Sequence, residues 1–239
     1  MIGVWPLLLA GVIAGLAAVE RKALLQAQVS RPIVVAPLVG WALGDPLAGL
    51  YVGAPLELLW IGAANLGAAL PPHDTAAAAA VAAATVGAGN VELPGAVAAL
   101  AVLAFGPAAL LGRKLEGVGE RANERLVAHA AAALGEGLPQ RAFRLHLRGL
   151  WRPFAATGAL VIVAGGLVGP ALGWVQDRLP LVALAGLEIG WGLLWAVGGA
   201  SAVRAARLPR GLALAAGGAA VAAGLWTSAE LLGWVGVTG

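Results

Sequence analysis

Arg31-Pro32-Ile33-Val34-Val35-Ala36-Pro37-Leu38-Val39-Gly40-Trp41-Ala42-Leu43, then Gly44-Asp45-Pro46, is the stretch whose reading decides the fold. Behind it comes an apolar segment over 47–70, interrupted by Pro55, Glu57 and Asn65 and closed by Pro71-Pro72-His73-Asp74. The apolar run that ends at Leu43 is too short to cross a hydrocarbon core of roughly 30 Å. Gly-Asp-Pro supplies a turn, so Asp45 reads as a turn residue rather than a ligand. Short apolar pieces broken by Gly, Pro and single polar groups are the pattern of re-entrant or discontinuous helices, because non-helical backbone is tolerated at membrane depth only beside protein or a cavity. Residues 23–74 are therefore the expected working part of an all-α, polytopic membrane helical bundle with re-entrant or discontinuous helices in its N-terminal half.

Composition agrees with a membrane setting. The chain is 60% hydrophobic and only 11% charged, with a mean hydropathy of +0.88, too few polar residues to cover a water-soluble globule. Once the membrane segments are counted, no stretch is left for a soluble catalytic domain, so large aqueous chemistry falls to another chain. There is no cysteine, which removes disulfides, thiolate nucleophiles and cysteine metal sites. His73, His129 and His146 share no metal-ligand spacing and read as solvated or structural. No catalytic residue, cofactor or metal is expected, and no nucleic acid partner. Nine tryptophans suit a chain whose indoles rest at the membrane interface.

Working outward, residues 2–19 form an apolar run just long enough to span, followed by Glu20, Arg21 and Lys22. The charges follow the run instead of preceding it, so the run is expected to be retained rather than cleaved as a signal peptide. An alanine-rich segment covers 75–89 and a fuller span 93–112. Residues 113–152 hold eight of the fifteen Lys and Arg against four acids, an excess of four positive charges beside +3 for the whole chain. The positive-inside rule makes this segment cytoplasmic. Leu115, Val118, Ala122 and Leu126 recur near helical spacing, which suggests an amphipathic helix against the membrane or a partner. Three further spans follow at 154–175, 181–203 and 211–237, with Arg204, Arg207 and Arg210 on the cytoplasmic side and the C-terminus outside. The whole reads as one membrane-embedded domain over 1–239: a core over 1–112, the basic segment over 113–152 and the last spans over 153–239. Gly-xxx-Gly pairs at Gly11/Gly15, Gly49/Gly53, Gly169/Gly173 and Gly186/Gly190 offer close helix approaches.

Polar residues inside apolar stretches carry the functional signal. An ionisable residue near the bilayer centre costs about 2.5 to 3.5 kcal/mol on insertion scales. Glu57 has no basic neighbour in sequence; it is either a contact for sugar hydroxyls, a proton or a cation, or a structural acceptor at a broken helix. Asn65 either borders the same cavity, offering donors and acceptors together, or links helices. Asp74 is a ligand or the N-cap of the alanine helix. Gln26 and Gln28 face the same way only if their segment is extended. Arg31 is an interface anchor or the partner of a buried carboxylate. Glu188 and Glu230 face the bundle interior or an oligomer contact.

The ordered series Ser30-Arg31-Pro32 through Gly40, Leu43-Gly44-Asp45, Gly49, Gly53-Ala54-Pro55-Leu56-Glu57-Leu58-Leu59-Trp60-Ile61-Gly62 and Gly67-Ala68-Ala69-Leu70-Pro71-Pro72 resembles the signature region of IIC subunits of mannose/fructose/sorbose-family sugar phosphotransferase systems. The resemblance is strong over about residues 26–85 and weaker, in order only, beyond. It implies a permease subunit of the bacterial cytoplasmic (inner) membrane that binds sugar and carries it across by an elevator-like movement of a discontinuous-helix core. It implies a IID membrane partner, IIA and IIB phosphocarriers that relay phosphate from phosphoenolpyruvate, contact with membrane lipid, and an oligomer. On this resemblance the sugar path falls on Gln26, Gln28, Glu57, Asn65 and Asp74. His73 stands where the family runs from Pro to Asp. The alternative function is a non-phosphorylating secondary transporter with Glu57 as its proton or cation site.

Overall fold

The computed structural model describes residues 2–21, 27–61, 73–89 and 94–205, with the side chain of Leu115 excepted. All regular structure among them is helical: α1 (Val4–Glu20), α2 (Pro32–Leu43), α3 (Pro46–Trp60), α4 (Asp74–Gly87), α5 (Pro94–Gly135), α6 (Pro139–Val163), α7 (Gly169–Gln176) and α8 (Leu181–Ala205), with a π-helical turn (Ala164–Val168) joining α6 to α7. Gln26, Asn65, Glu230 and the expected span at 211–237 lie outside the described residues.

The stretch that opens with Arg31 folds as a hairpin of two short helices. α2 has 12 residues and α3 has 15, about 18 and 22 Å of rise, and neither length crosses a bilayer core. Each helix begins on proline, at Pro32 and Pro46, where the missing N–H costs nothing. Gly44, at φ 99°, ends α2 in the left-handed conformation that glycine adopts freely. The Asp45 carboxylate then accepts from the Ala48 N–H at 2.8 Å and starts α3. The two helices touch backbone to backbone at glycine. A Cβ on Gly53 would stand 2.6 Å from the Pro32 carbonyl oxygen, and one on Gly49 would stand 2.8 Å from Pro37 Cα and closer still to the Ala36 carbonyl.

Three of the four Gly-xxx-Gly pairs make such approaches. Gly11 and Gly15 receive α6 at Phe154, Gly158 and Ile162, and Gly169 and Gly173 lie against Ala84, Gly87 and Ala88. Gly186 and Gly190 meet nothing within 4 Å. Gly49→Ala is therefore expected to destabilise the protein by about 1–3 kcal/mol through overpacking. Gly186→Ala, made into open space on a helix, is expected to be neutral or slightly stabilising. Thermal unfolding of the two variants in detergent checks the contrast.

α4 is the centre of the bundle. From Asp74 to Thr85 every residue is buried, and the helix contacts α1, α2, α3, α5, α6, the π turn and α7. Alanine is the strongest helix former and the smallest side chain that still packs, so an alanine-rich helix can be approached closely from all sides where lipid offers no hydrophobic drive. The π turn lies on it: Gly87 meets the Gly165 backbone, where any Cβ would collide.

Among the described residues three helical stretches are long and apolar enough to cross a membrane: Pro94–Gly135, Pro139–Gln176 and Leu181–Ala205. The expected spans at 154–175 and 181–203 fall within two of them. At residue 112 the structure differs from the sequence reading. The span at 93–112 and the amphipathic helix after it are one helix, α5, of 42 residues and about 63 Å. A change from apolar to charged residues alters what surrounds a helix without breaking its hydrogen bonds. The basic segment is thus a helical hairpin that prolongs α5 and returns along α6, with Asn123 Nδ2 donating to the Gly149 carbonyl at 3.4 Å. Its turn is closed by Gly137 at φ 73° and by the Leu138 N–H donating to the Ala133 carbonyl at 2.8 Å.

Candidate functional site

Four short or ending helices bring charged groups inward: the C-terminus of α1, the N-terminus of α2, the last turn of α3 and the N-terminus of α4. Glu57, one turn before the end of α3, is 8% exposed. The hairpin turns α3 antiparallel to α2, which carries Glu57 to the opening N–H groups of α2. Arg31, the N-cap residue of α2, donates from Nε to Glu57 Oε1 at 2.8 Å and from Nη2 to the same oxygen, and the Ile33 N–H points at Oε2 from 3.4 Å. The carboxylate thus faces a guanidinium and the positive end of a helix dipole together. Of the two readings of Arg31, partner to a buried carboxylate is the one the structure shows. α8 braces this end of α3: Ser201 Oγ donates to the Leu59 carbonyl at 3.0 Å, and Gly198 lies against the Pro55 carbonyl.

Asp74 opens α4 and is also 8% exposed. The cap of this helix is His73, whose Nδ1 accepts from the Ala76 N–H at 3.2 Å; Asp74 is the first helical residue, with Oδ1 accepting from the Thr75 N–H at 2.9 Å. The N-cap reading of Asp74 is therefore displaced by one residue, because an imidazole nitrogen serves as the capping acceptor. An acceptor at Nδ1 leaves the ring proton on Nε2, which faces Glu116 Oε1 at 3.7 Å. His73 is buried and structural, its N–H donating to the Ala109 carbonyl at 2.8 Å and its ring under Gly112 of α5.

Arg21 joins two carboxylates. Its Nε lies 3.2 Å from Asp74 Oδ1, and its Nη1 donates to Glu116 Oε1 at 2.9 Å. Glu20, 8% exposed, accepts from the Ser30 N–H through Oε2 at 2.9 Å. Sequence reasoning left Glu20, Arg21 and Glu116 out of the site: the first two read as charges that follow an apolar run, and Glu116 lies in the basic segment over 113–152. An apolar run just long enough to span gave no signal that the charges after it turn inward, and the Arg21–Glu116 contact joins residues 95 positions apart.

Gln28 is exposed and takes φ 66°, so the backbone there is left-handed and the rule that alternate residues face alike does not apply to it. Its carbonyl accepts from the Arg31 N–H at 3.2 Å. Of the five residues expected on a sugar path, the structure buries Glu57 and Asp74, each against an arginine, and leaves Gln28 at the surface. Glu188 faces the bundle interior: its Oε1 accepts from the Ala96 N–H at 3.0 Å and so caps the first turn of α5. No group of three His, Asp or Glu able to hold a metal ion occurs among the described residues.

Such a cluster can bind a neutral, polyhydroxylated solute. Guanidinium N–H groups donate, carboxylate lone pairs accept, and pairing the charges avoids the large cost of burying either alone. Two solved structures share the fold. One, described as the structure of a membrane protein, superposes with a TM-score of 0.69 at 23% identity, over 100% of this chain and 98% of that one. The other, the mannose transporter ManYZ in complex with microcin E492, gives 0.62 at 23% identity, over 99% and 97%. Among curated proteins none matches significantly. The family model of the PTS system sorbose-specific IIC component matches residues 4–228, nearly the entire length, and the chain belongs to that family.

Proposed function

We propose that this chain is the sugar-translocating membrane subunit of a phosphoenolpyruvate-dependent phosphotransferase system. The observation that carries the proposal is the buried set of Arg31–Glu57 and Arg21–Asp74 pairs at interrupted helix ends, in a chain matched to a sorbose-specific IIC family over residues 4–228. Interrupted helices put backbone donors and acceptors, together with charged side chains, at membrane depth, where solute sites of transporters are built. Sugar binds at this cluster, with Gln26, Gln28 and Asn65 as further proposed contacts. The core then carries it across in an elevator-like movement, and a IIB partner phosphorylates it on the cytoplasmic side. A IID subunit shares the bacterial inner membrane with this chain in a mixed oligomer, and IIA supplies IIB with phosphate. The guanidinium on Glu57 weighs against the alternative in which that carboxylate serves as a lone proton or cation site.

The test is transport by vesicles that hold the chain with its IID partner, loaded with phosphoenolpyruvate and the soluble phosphocarriers. Labelled hexose is expected to appear inside as sugar phosphate, to depend on phosphoenolpyruvate, and to be indifferent to an uncoupler. Accumulation of unmodified sugar that collapses with the uncoupler would mean a secondary transporter instead.

A further inference from the structure

We propose that Glu20 is an additional solute-binding residue of this cluster, its Oε1 accepting a hydrogen bond from one hydroxyl of the transported sugar. The proposal rests on the reading of the cluster as a sugar site. Glu20 is 8% exposed, and its two oxygens differ in kind: Oε2 takes the Ser30 N–H at 2.9 Å, whereas Oε1 is buried and has no hydrogen-bond partner among the described residues. Holding Ser30 needs one accepting atom, which a glutamine would supply without a charge. A carboxylate brings a second oxygen, with further lone pairs, into a place where desolvation is costly. Helix stability does not explain it either. Glu20 ends α1, where the last carbonyls already gather partial negative charge and a carboxylate is the disfavoured residue. An acceptor kept dry and unused is what a site requires when its donor arrives with the solute.

The position of Glu20 fits that role. The next residue, Arg21, holds Asp74, and the residue after its partner Ser30, Arg31, holds Glu57. The Glu20–Ser30 contact therefore ties the two arginine–carboxylate pairs through two peptide bonds, so a solute lying across both pairs lies beside Glu20. A sugar hydroxyl is the matching donor: it gives its proton to Oε1 and keeps lone pairs for a neighbouring guanidinium. Since Oε1 is closed off in this state, solute reaches it in a state where the helix ends have parted, and equilibrium binding samples that state.

Binding to the detergent-solubilised full chain, with its IID partner, is measured first for D-mannose, D-glucose, D-fructose and L-sorbose. The sugar that binds is then replaced by each of its monodeoxy analogues, in wild type and in Glu20→Gln. A hydrogen bond to a charged acceptor is worth roughly ten- to hundredfold in affinity. One analogue is expected to lose that much in wild type, and in Glu20→Gln that one penalty shrinks several-fold while the others stand. An unchanged pattern of penalties, or a uniform weakening of all analogues, makes Glu20 structural and overturns the proposal. If wild type binds a sugar, the reading of the site survives that result; if it binds none, both readings fall. Should Glu20→Gln not fold, Glu20→Asp keeps the charge, retracts the oxygens by one methylene, and is read by the same pattern.

Discussion

Arg31→Met is expected to destabilise the protein by about 3–5 kcal/mol, the cost of removing one partner from a buried ion pair. The loss falls on Glu57, which stays at the mouth of α2 with one weak backbone donor, the Ile33 N–H at 3.4 Å. The converse change is milder. Glu57→Gln keeps an acceptor for the guanidinium, and the Arg31 side chain, 25% exposed, has a route toward solvent that Glu57, at 11%, lacks. The double variant Arg31→Met with Glu57→Leu buries no charge and is expected to recover most of the stability, since an apolar pair replaces a buried ion pair at little cost. Sugar binding separates the two roles of the pair: it is lost in the stable double variant. Chemical unfolding in detergent, beside ligand binding, measures both. Equal losses from Arg31→Met and Glu57→Gln would show that the pair does not bury its carboxylate preferentially.

The parts of the fold set by local chemistry were legible in sequence. Pro32, Gly44, Asp45 and Pro46 each act within a turn of their own position, and the ends they mark, both ends of α2 and the start of α3, are present. Glycine spacing was legible as a possibility only. The same four-residue interval seats α6 on Gly11 and Gly15 and meets open space at Gly186 and Gly190, because spacing fixes which residues share a face but not what that face meets. The continuity of α5 through residue 112 was hidden by a change in composition, which tracks the surroundings of a helix and not its hydrogen bonds. Of the candidate site, the carboxylates Glu57 and Asp74 were legible, and Arg31 was legible as a partner for a buried carboxylate, but not which residue each arginine meets. Glu57 and Arg31 lie 26 positions apart and Arg21 and Glu116 lie 95 apart, separations over which no periodicity carries information. Glu20 was concealed by its neighbours, since Glu-Arg-Lys after an apolar run reads as an interfacial flank. The family resemblance puts Glu57 and Asp74 on the sugar path, includes Arg31 without giving it a role, and leaves Arg21 out.

Arg21→Met is expected to be as damaging, again by about 3–5 kcal/mol, through a different imbalance. The Arg21 side chain is 8% exposed and stands between Asp74 on α4 and Glu116 on α5, so its removal leaves two mostly buried carboxylates aimed at the place it vacates. Like charges so placed repel each other, and the buried helix α4 begins at one of them. Neutralising either carboxylate should therefore relieve part of the loss: Arg21→Met with Glu116→Gln, and Arg21→Met with Asp74→Asn, are each expected to be more stable than Arg21→Met alone. The coupling read from the two cycles should lie at about 0.5–3 kcal/mol. Solute binding distinguishes the partners. Asp74→Asn removes a proposed sugar contact and weakens binding by itself, whereas Glu116→Gln leaves Asp74 and its arginine in place and acts on binding only through the position of Arg21. A Glu116→Gln variant that binds sugar as wild type does, yet rescues Arg21→Met in stability, would place Glu116 in the support of the site and Asp74 in the site itself. If both neutral variants weakened binding equally, the arginine would be sharing one solute between two helices.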